Sequence, residues 1–313
     1  MNPATQKILE KQHYRISGNS AVQICRWAKK SLLGEGYCYK QKFYGIQSHR
    51  CCQMTPCVMN CQNQCLHCWR PIELNEGIEI KNAEKPEKII ENCIEMQKKL
   101  LMGFKGHPKV TLARANEAMN PKHFAISLSG EPTLYPYLGK LIELLRKRKI
   151  TSFLVTNGLN PKVLEKLGKK KQLPTQLYLS VNAPNEEIFN KITRSKVKNA
   201  WQIYLKTLKL LPKLKTRKVL RLTLIKDLNM GCPEGYASLI RLAEPDFVEV
   251  KGFMSVGFSR QRLGYERMPF HTAIKGFAKK LAKASKLKIL DEKKESCVVL
   301  LGKNKSRMGI KNV

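Results

Sequence analysis

Three cysteines, Cys61, Cys65 and Cys68, are the side chains whose spacing carries the clearest chemistry in this sequence. Three residues separate the first pair and two residues separate the second pair. Cysteine thiolates bind iron–sulfur clusters, and a cubane cluster has four irons. The triad can therefore hold three irons of a [4Fe–4S] cluster and leave the fourth without a protein ligand. An open metal position is typical of catalytic sites, whereas a closed one is typical of structural sites.

Five further cysteines precede this triad and form a second candidate metal set. They are Cys25, Cys38, Cys51, Cys52 and Cys57. Clustered cysteines favour a metal site over the disulfide framework of small secreted domains. In one interpretation, three of the five are ligands of a second cluster. In another, four of them are ligands of a closed zinc site. Spacing alone does not choose among them, and Cys25 also suits a buried helix position.

The charge balance points to a polyanionic partner. The chain has 313 residues, of which 58 are Lys or Arg and 24 are Asp or Glu, so its formal net charge is +34. A solvated lysine-rich surface would carry similar numbers of acids, and this chain does not. We expect nucleic acid rather than a membrane, because no basic helix has an aromatic face.

The sequence has no signal peptide or membrane span that we recognise. Its first fifteen residues are polar, and no apolar run approaches the roughly 18–20 residues that a membrane helix needs. We therefore expect a cytoplasmic protein.

Alternating strand and helix patterns begin near residue 84 and predict a parallel sheet. The predicted strands are residues 123–128, 152–156, 177–181, 219–225 and 247–250. The predicted helices are residues 86–102, 136–149, 161–167, 200–211 and 233–243. With one more strand near the cysteine triad, these make about six βα units, an incomplete (βα)6 TIM-like barrel.

Extensions are expected at both ends of this barrel. Residues 1–60 form an N-terminal extension with a helix that starts at Asn19 or Ser20 and ends near Gly34 or Gly36. Residues 61–255 form the barrel. Residues 256–313 form a C-terminal extension with a helix at 273–284 and strands at 287–290 and 297–301. We expect all three parts to make one compact unit.

Small polar residues follow the predicted strands, where parallel α/β proteins bind ligands. The first strand is followed by Ser129, Gly130 and Glu131. Glycine lets the backbone approach a ligand closely, and a glutamate accepts hydrogen bonds from an ammonium group. Asn157 follows the second strand, and Ser180 and Asn182 end the third, although both segments also suit ordinary turns.

The cysteine triad resembles the signature of the radical S-adenosylmethionine (SAM) superfamily. In that superfamily SAM binds the open iron and is cleaved to a 5′-deoxyadenosyl radical. The resemblance implies that the segment Ser129 to Glu131 holds the SAM amino group and that Asn157, Ser180 and Asn182 contact its ribose and carboxylate. One departure is His67, which stands where the superfamily usually has Tyr, Phe or Trp beside the adenine. An imidazole can also stack and form hydrogen bonds.

Four segments together resemble the tRNA 4-demethylwyosine synthases of the wybutosine pathway. They are residues 65–71, 100–106, 128–133 and 248–254. The similarity extends from about Cys25 to Met268 and is to the single-domain archaeal form. It implies a barrel of the radical SAM type and a second [4Fe–4S] cluster on Cys25, Cys38 and Cys51.

The resemblance also implies the reaction. The substrate is tRNA(Phe) with N1-methylguanosine at position 37, pyruvate supplies two carbons, and the product is tricyclic 4-demethylwyosine. An external donor supplies electrons, and nothing requires more than a monomer. Lys40 corresponds to a lysine that binds pyruvate as a Schiff base, although Lys42 lies close by.

Contacts with the anticodon arm need cations and an aromatic platform for the displaced base. The aromatic candidates are Trp69, Tyr39 and Phe253. The cationic candidates are Arg70, Lys105, Arg194, Lys196, Lys251, Arg260 and Arg262. Two other interpretations remain open: another radical SAM tRNA-modifying enzyme, such as a methylthiotransferase, and a metal-containing RNA-binding protein without catalytic activity.

Overall fold

The computed structural model describes residues 3–310, which contain a single ten-stranded sheet. An antiparallel hairpin, β1 (Arg15–Ser17) and β2 (Ser20–Val22), forms one edge of this sheet. Six parallel strands follow in chain order: β3 (Cys51–Thr55), β4 (His123–Ile126), β5 (Thr151–Thr156), β6 (Gln176–Val181), β7 (Arg217–Leu224) and β8 (Phe247–Gly252). The other edge is the antiparallel pair β9 (Lys288–Lys293) and β10 (Val298–Gly302), with β10 beside β8.

Helices connect the strands. In chain order they are α1 (Pro3–Lys11), α2 (Arg26–Leu32), α3 (Tyr39–Tyr44), α4 (Pro86–Leu101), α5 (Leu112–Met119), α6 (Leu138–Lys147), α7 (Pro161–Lys169), α8 (Glu186–Thr193), α9 (Ala200–Leu210), α10 (Pro233–Ala243), α11 (Ser259–Arg262) and α12 (His271–Ser285). Six consecutive parallel strands with helical crossovers confirm the predicted incomplete barrel.

The two faces of the sheet bury different groups. Leu177 and Leu179 of β6 belong to the large aliphatic core beneath α4, α6, α9, α10 and α12. Tyr178, between them, points to the opposite face because side chains alternate along a strand. There it joins an aromatic cluster with Phe153 and with Tyr39 of α3. Helix α3 therefore lies on the inner face of the barrel, among polar and aromatic side chains.

The N-terminal prediction was wrong in part. A helix was expected from Asn19 or Ser20, but Ser20–Val22 is strand β2, and α2 begins only after Cys25. Gly18 has φ +52° and turns the chain into a tight hairpin that the apolar pattern did not reveal. The sequence also placed the end of the extension at residue 60, whereas the first parallel strand already begins at Cys51.

Within residues 3–310, every helix is too short or too polar to span a bilayer.

Candidate active site

The first cysteine triad lies in a loop of residues 56–70, which we call the triad loop, at the carboxyl end of β3. Backbone hydrogen bonds fix this loop to the end of α8: the amides of Gln64 and Leu66 donate to the carbonyls of Thr193 and Ile192, both at 2.9 Å. The loop therefore has a defined conformation at the mouth of the barrel, where parallel α/β proteins bind ligands.

Arg262 fixes the last part of the triad loop from the other side. Its guanidinium donates to the carbonyl oxygens of Leu66 and Arg70, both at 3.2 Å, and to that of Cys68. It also pairs with Glu73 at 2.7 Å. Its side chain is only 9% exposed. The sequence placed Arg262 among the tRNA contacts, but its donors hold the backbone around Cys68.

The three thiols of the triad are buried, and their charges affect one another's pKa. Burial raises the pKa of Cys61 to about 12, with further contributions from Glu131 and Cys68. Burial also raises the pKa of Cys65, as do the charges of Cys61 and Cys68. Within residues 3–310, no group of three His, Cys, Asp or Glu side chains is arranged to hold a single metal ion. The donor set of three neighbouring thiols is the one that iron–sulfur clusters use.

Gly130 and Glu131 hold the triad loop against the end of β4. Gly130 has φ +68°, which L side chains rarely adopt, and its α-carbon faces the carbonyls of Cys57 and Asn60. The amide of Glu131 donates to the Asn60 carbonyl at 2.7 Å. These contacts explain why glycine stands at this position.

The carboxylate of Glu131 is 2% exposed and connects the carboxyl ends of β4 and β5. It accepts hydrogen bonds from the hydroxyls of Thr133 (2.6 Å) and Thr156 (2.7 Å) and from the Asn157 amide (2.7 Å). Burial nevertheless raises its pKa. The structure thus gives Glu131 a positioning role within the protein, and its predicted contact with the SAM amino group stays a prediction.

Two other predicted SAM residues, Asn157 and Asn182, directly follow β5 and β6 at the mouth of the barrel. The side-chain amide of Asn157 lies 3.9 Å from the Cys61 sulfur. Asn182 is 9% exposed, and its Oδ1 atom is buried without a hydrogen-bond partner among the described residues. A buried acceptor without a donor costs free energy unless a ligand supplies one. The residues present therefore fit a polar cofactor beside the triad.

The structure brings Cys25, Cys38 and Cys51 together. Cys25 precedes α2, Cys38 precedes α3, and Cys51 begins β3. Burial raises the pKa of Cys38 to about 11 and that of Cys51 to about 12, and the charge of Cys25 raises both. The three thiols are therefore close enough to affect one another's pKa, although their sequence positions are far apart.

Cys52 and Cys57 face elsewhere. Both are completely buried. Burial raises the pKa of both thiols. The charges of Cys93 and Cys51 raise the pKa of Cys52 further, and those of Glu131 and Cys61 raise the pKa of Cys57 further. Cys52 follows Cys51 in a strand and so points to the opposite face of the sheet.

The amine of Lys40 lies beside the second cysteine set. Lys40 is 8% exposed, and its Nζ lies 4.9 Å from the ring centroid of Phe153 and 4.6 Å from that of Tyr178. Among the described residues, Nζ has no hydrogen-bond or ion-pair partner. Burial lowers the pKa of this amine, and the charge of Arg221 lowers it further. A desolvated amine of this kind is suited to nucleophilic attack on a carbonyl.

A buried polar network lies next to Lys40. Glu249 is completely buried and accepts hydrogen bonds from Tyr39 (2.9 Å), Tyr44 (2.7 Å) and Arg221 Nε (2.9 Å). Sequence reasoning missed Arg221 and Glu249. Their only signal was a charged residue inside each of two apolar strand patterns.

Comparisons with known proteins decide the family. The family model for the radical SAM superfamily matches residues 56–240, and the model for wyosine base formation matches residues 242–303. The chain is 49% identical over 297 residues to the tRNA 4-demethylwyosine synthase of Pyrococcus abyssi. The aligned region covers 94% of this chain and 87% of that protein. The chain belongs to the tRNA 4-demethylwyosine synthase family.

Other members of this synthase family also match most of this chain. The Methanocaldococcus jannaschii synthase is 42% identical, with 94% of each chain covered. The human synthase is 39% identical over 99% of this chain, which spans 42% of the human protein. A solved structure of TYW1 with a lysine–pyruvate adduct bound superposes with a TM-score of 0.89 at 39% identity and covers 100% of this chain and 99% of that one. A crystal structure of archaeal TYW1 superposes with a TM-score of 0.80 at 37% identity and covers 97% of this chain and 96% of that one.

The structure of this synthase-family chain separates the predicted RNA-contacting residues into two groups. Tyr39 and Phe253 are 6% and 1% exposed and pack inside the protein, so their prediction as base platforms was wrong. Lys251 donates to the Ser296 carbonyl at 2.5 Å, and burial lowers its pKa to about 8. Trp69, in contrast, is 41% exposed. Lys105, Arg194, Lys196 and Arg260 are also exposed.

Arg70 and His67 lie beside the triad. Arg70 donates to the Leu128 carbonyl at 2.7 Å and lies over the ring of Tyr14, which leaves it few free donors. Burial lowers the pKa of His67 to about 4, so its ring is neutral. A neutral imidazole is compatible with the predicted place beside an adenine.

Proposed function

We propose that this protein is the radical SAM enzyme that converts N1-methylguanosine 37 of tRNA(Phe), with pyruvate, to 4-demethylwyosine in the cytoplasm. The observation that carries the proposal is the amine of Lys40, which is desolvated, has no polar partner among the described residues, and lies beside Cys38 and Cys51. A related structure contains a lysine–pyruvate adduct. Loss of the pyruvate carboxylate breaks a carbon–carbon bond, so the reaction is of the lyase type.

Lys40 acts first in the proposed sequence. Its neutral amine attacks the keto carbon of pyruvate, a carbon–nitrogen bond forms, and the carbonyl oxygen leaves as water after protonation. The product is a protonated Schiff base. Because Phe153 and Tyr178 cover the amine, they exclude water and keep the attacking nitrogen desolvated. The keto acid is thereby tethered inside the barrel.

The cysteine triads hold the cofactors in this proposal. Cys61, Cys65 and Cys68 hold one [4Fe–4S] cluster, and Cys25, Cys38 and Cys51 hold a second. With SAM and an external electron donor, the first cluster supplies the radical chemistry. The chain itself positions these groups. Asn157 and Asn182 would contact SAM, and Glu131 and Arg262 keep the triad loop in place through hydrogen bonds to the carbonyls of Asn60 and Cys68.

A pocket beside the first triad is the proposed entrance for the base. It is lined by Gln12, Gln23, Trp69, Arg70, Val256, Gly257, Phe258 and Gln261. The Phe258 amide donates to the Trp69 carbonyl at 3.1 Å, which joins the segment after β8 to the triad loop. The exposed indole of Trp69 supplies a stacking surface for an unstacked base, and side-chain amides supply hydrogen bonds.

An anaerobic assay tests the proposed function. Reconstituted protein, SAM, dithionite, pyruvate and tRNA with N1-methylguanosine 37 are incubated, and the digested tRNA is analysed by mass spectrometry. We expect a tricyclic nucleoside that requires pyruvate and disappears in Cys25→Ala. Deoxyadenosine without a modified base would retain radical SAM chemistry and reject the substrate. A thiolated base would indicate a methylthiotransferase, and zinc without SAM cleavage would indicate a binding protein.

A further inference from the structure

The guanidinium of Arg221 is anchored on one side and free on the other. Its Nε donates to Glu249 at 2.9 Å, and its Nη2 donates to the hydroxyl of Tyr39 at 2.6 Å. Its Nη1 has no hydrogen-bond partner among residues 3–310. The side chain is 19% exposed, so it borders open space inside the barrel. Such a group is oriented in advance and has hydrogen-bond donors left for a ligand.

Arg221 and Lys40 lie against the same aromatic ring. The Arg221 guanidinium carbon is 4.4 Å from the ring centroid of Tyr178, and the Lys40 amine is 4.6 Å from it. In an α-keto acid the carboxylate carbon is bonded directly to the keto carbon. The group that binds the carboxylate must therefore lie near the amine that attacks the ketone, and Arg221 does.

The charges around this space favour an anionic ligand. Three basic side chains lie here, those of Lys40, Lys251 and Arg221. Glu249 is the carboxylate in direct contact with Arg221. Lys251 already donates to the Ser296 carbonyl. Arg221 is therefore the cation that combines a fixed orientation with a free donor.

We propose that Arg221 binds the carboxylate of the α-keto acid whose keto carbon reacts with Lys40. The inference rests on the proposed function, which supplies the keto acid and the lysine. A guanidinium pairs with a carboxylate through charge-assisted hydrogen bonds, which are stronger and more directional than neutral ones. Glu249, Tyr39 and Tyr44 position Arg221 for this contact and do not themselves touch the substrate.

Reductive trapping tests the inference without requiring turnover. Reconstituted protein is incubated with cyanoborohydride and either pyruvate or its neutral methyl ester, without SAM or tRNA. Mass spectrometry of the Lys40 peptide then gives the concentration at which half of the lysine is labelled. In Arg221→Gln we expect this concentration to rise on the order of tenfold or more for pyruvate and to stay unchanged for the ester.

Arg217 supplies the matched control. It lies on the same strand over the rings of Tyr44 and Phe247, but it donates to the carbonyls of Met308 and Gly309. Arg217→Gln should therefore keep the preference for pyruvate over the ester. Arg221→Lys is the second variant if Arg221→Gln does not fold, and it should weaken pyruvate labelling selectively but less strongly.

Other outcomes would overturn the inference. If an Arg221 variant weakens labelling by pyruvate and ester equally, Arg221 only maintains the pocket. If the preference for pyruvate survives, another group, such as the open iron of the second cluster, holds the carboxylate. If wild-type protein forms no adduct at Lys40, the proposed function fails at its first step and the inference fails with it.

Discussion

Gly130 stands so close to Cys57 that a methyl group on its α-carbon would lie 2.0 Å from the Cys57 carbonyl oxygen. The same methyl group would lie 2.6 Å from the carbonyl oxygen of Asn60. Both contacts are with backbone, which cannot move aside as a flexible side chain can. The end of β4 and the triad loop therefore meet backbone to backbone, and the position of the first cysteine triad depends on a residue without a side chain.

Gly130→Ala should displace the triad loop. The left-handed backbone alone costs an alanine about 1–2 kcal/mol, and the clash raises the total to on the order of 3 kcal/mol or more. We expect the variant to lose roughly half of its bound iron, because only the first cluster depends on this loop. Iron analysis after anaerobic reconstitution measures this.

Gly45→Ala is the matched control for backbone strain. Gly45 has φ +76°, and apart from its immediate chain neighbours no described atom lies within 4 Å of the corresponding methyl position. It should lose about 1 kcal/mol of stability and keep its iron. Equal iron loss in both variants would contradict the close contact with Cys57 as the cause.

Lys40→Ala should abolish the trapped pyruvate adduct and keep both clusters. Lys40 contributes the nucleophile, and its Nζ has no polar partner among the described residues, so its removal breaks no hydrogen bond. Lys42→Ala is the control, because Lys42 lies on the same helix but is 39% exposed and pairs with Asp291 at 2.8 Å. Peptide mass spectrometry after cyanoborohydride treatment distinguishes the two. An adduct that persists in Lys40→Ala would place the Schiff base on another lysine.

Glu249→Gln should reduce stability at neutral pH. Burial by itself raises the pKa of Glu249, but the charges of Arg221 and Lys40 and the hydrogen bond from Tyr44 outweigh it, so the pKa is lowered. A carboxylate with a lowered pKa stabilises the fold above its unfolded pKa, and this stability is lost as the pH falls through the folded value. Because the charge of Arg221 would lose its partner, we expect a loss of about 2–4 kcal/mol at pH 7.

Denaturant titrations at pH 7 and at pH 4 measure this effect. The difference between wild type and Glu249→Gln should shrink at the lower pH, because the unfolded wild-type chain takes up a proton at Glu249 before the folded protein does. Glu292→Gln removes a carboxylate that is 36% exposed and pairs with His271 and Lys275, and it should change stability by about 1 kcal/mol or less. A constant difference for Glu249→Gln at both pH values would contradict the lowered pKa.

Local patterns predicted the triad and the parallel strands, because each depends on residues that are close together in the sequence. Cys61, Cys65 and Cys68 fall within eight residues, and the predicted parallel strands are short segments in which apolar residues predominate. The network beside Lys40 is different. Arg221 and Tyr39 are in contact although 182 positions separate them, and no local period encodes such a pair. The choice of Cys25, Cys38 and Cys51 from five cysteines likewise needed the resemblance, because three separate elements bring them together.

Trp69 is the residue on which the proposed entry of the base depends. It is 41% exposed and adjoins the triad, so a base stacked on it would lie near the radical chemistry. Stacking on an aromatic side chain is worth about 1–3 kcal/mol per base. Trp69→Ala should therefore weaken binding of an anticodon stem-loop with N1-methylguanosine 37 by roughly 5- to 150-fold, and Trp69→Phe should weaken it less.

Fluorescence anisotropy at several salt concentrations separates stacking from charge. Loss of a stacking contact shifts affinity equally at every salt concentration, whereas loss of a phosphate contact reduces the salt dependence itself. Tyr265→Ala is the control, because Tyr265 is an aromatic residue that is 65% exposed and does not line the pocket. Iron content should be unchanged in all three variants. If Trp69→Ala binds the stem-loop as tightly as Tyr265→Ala, the base enters the barrel by another route.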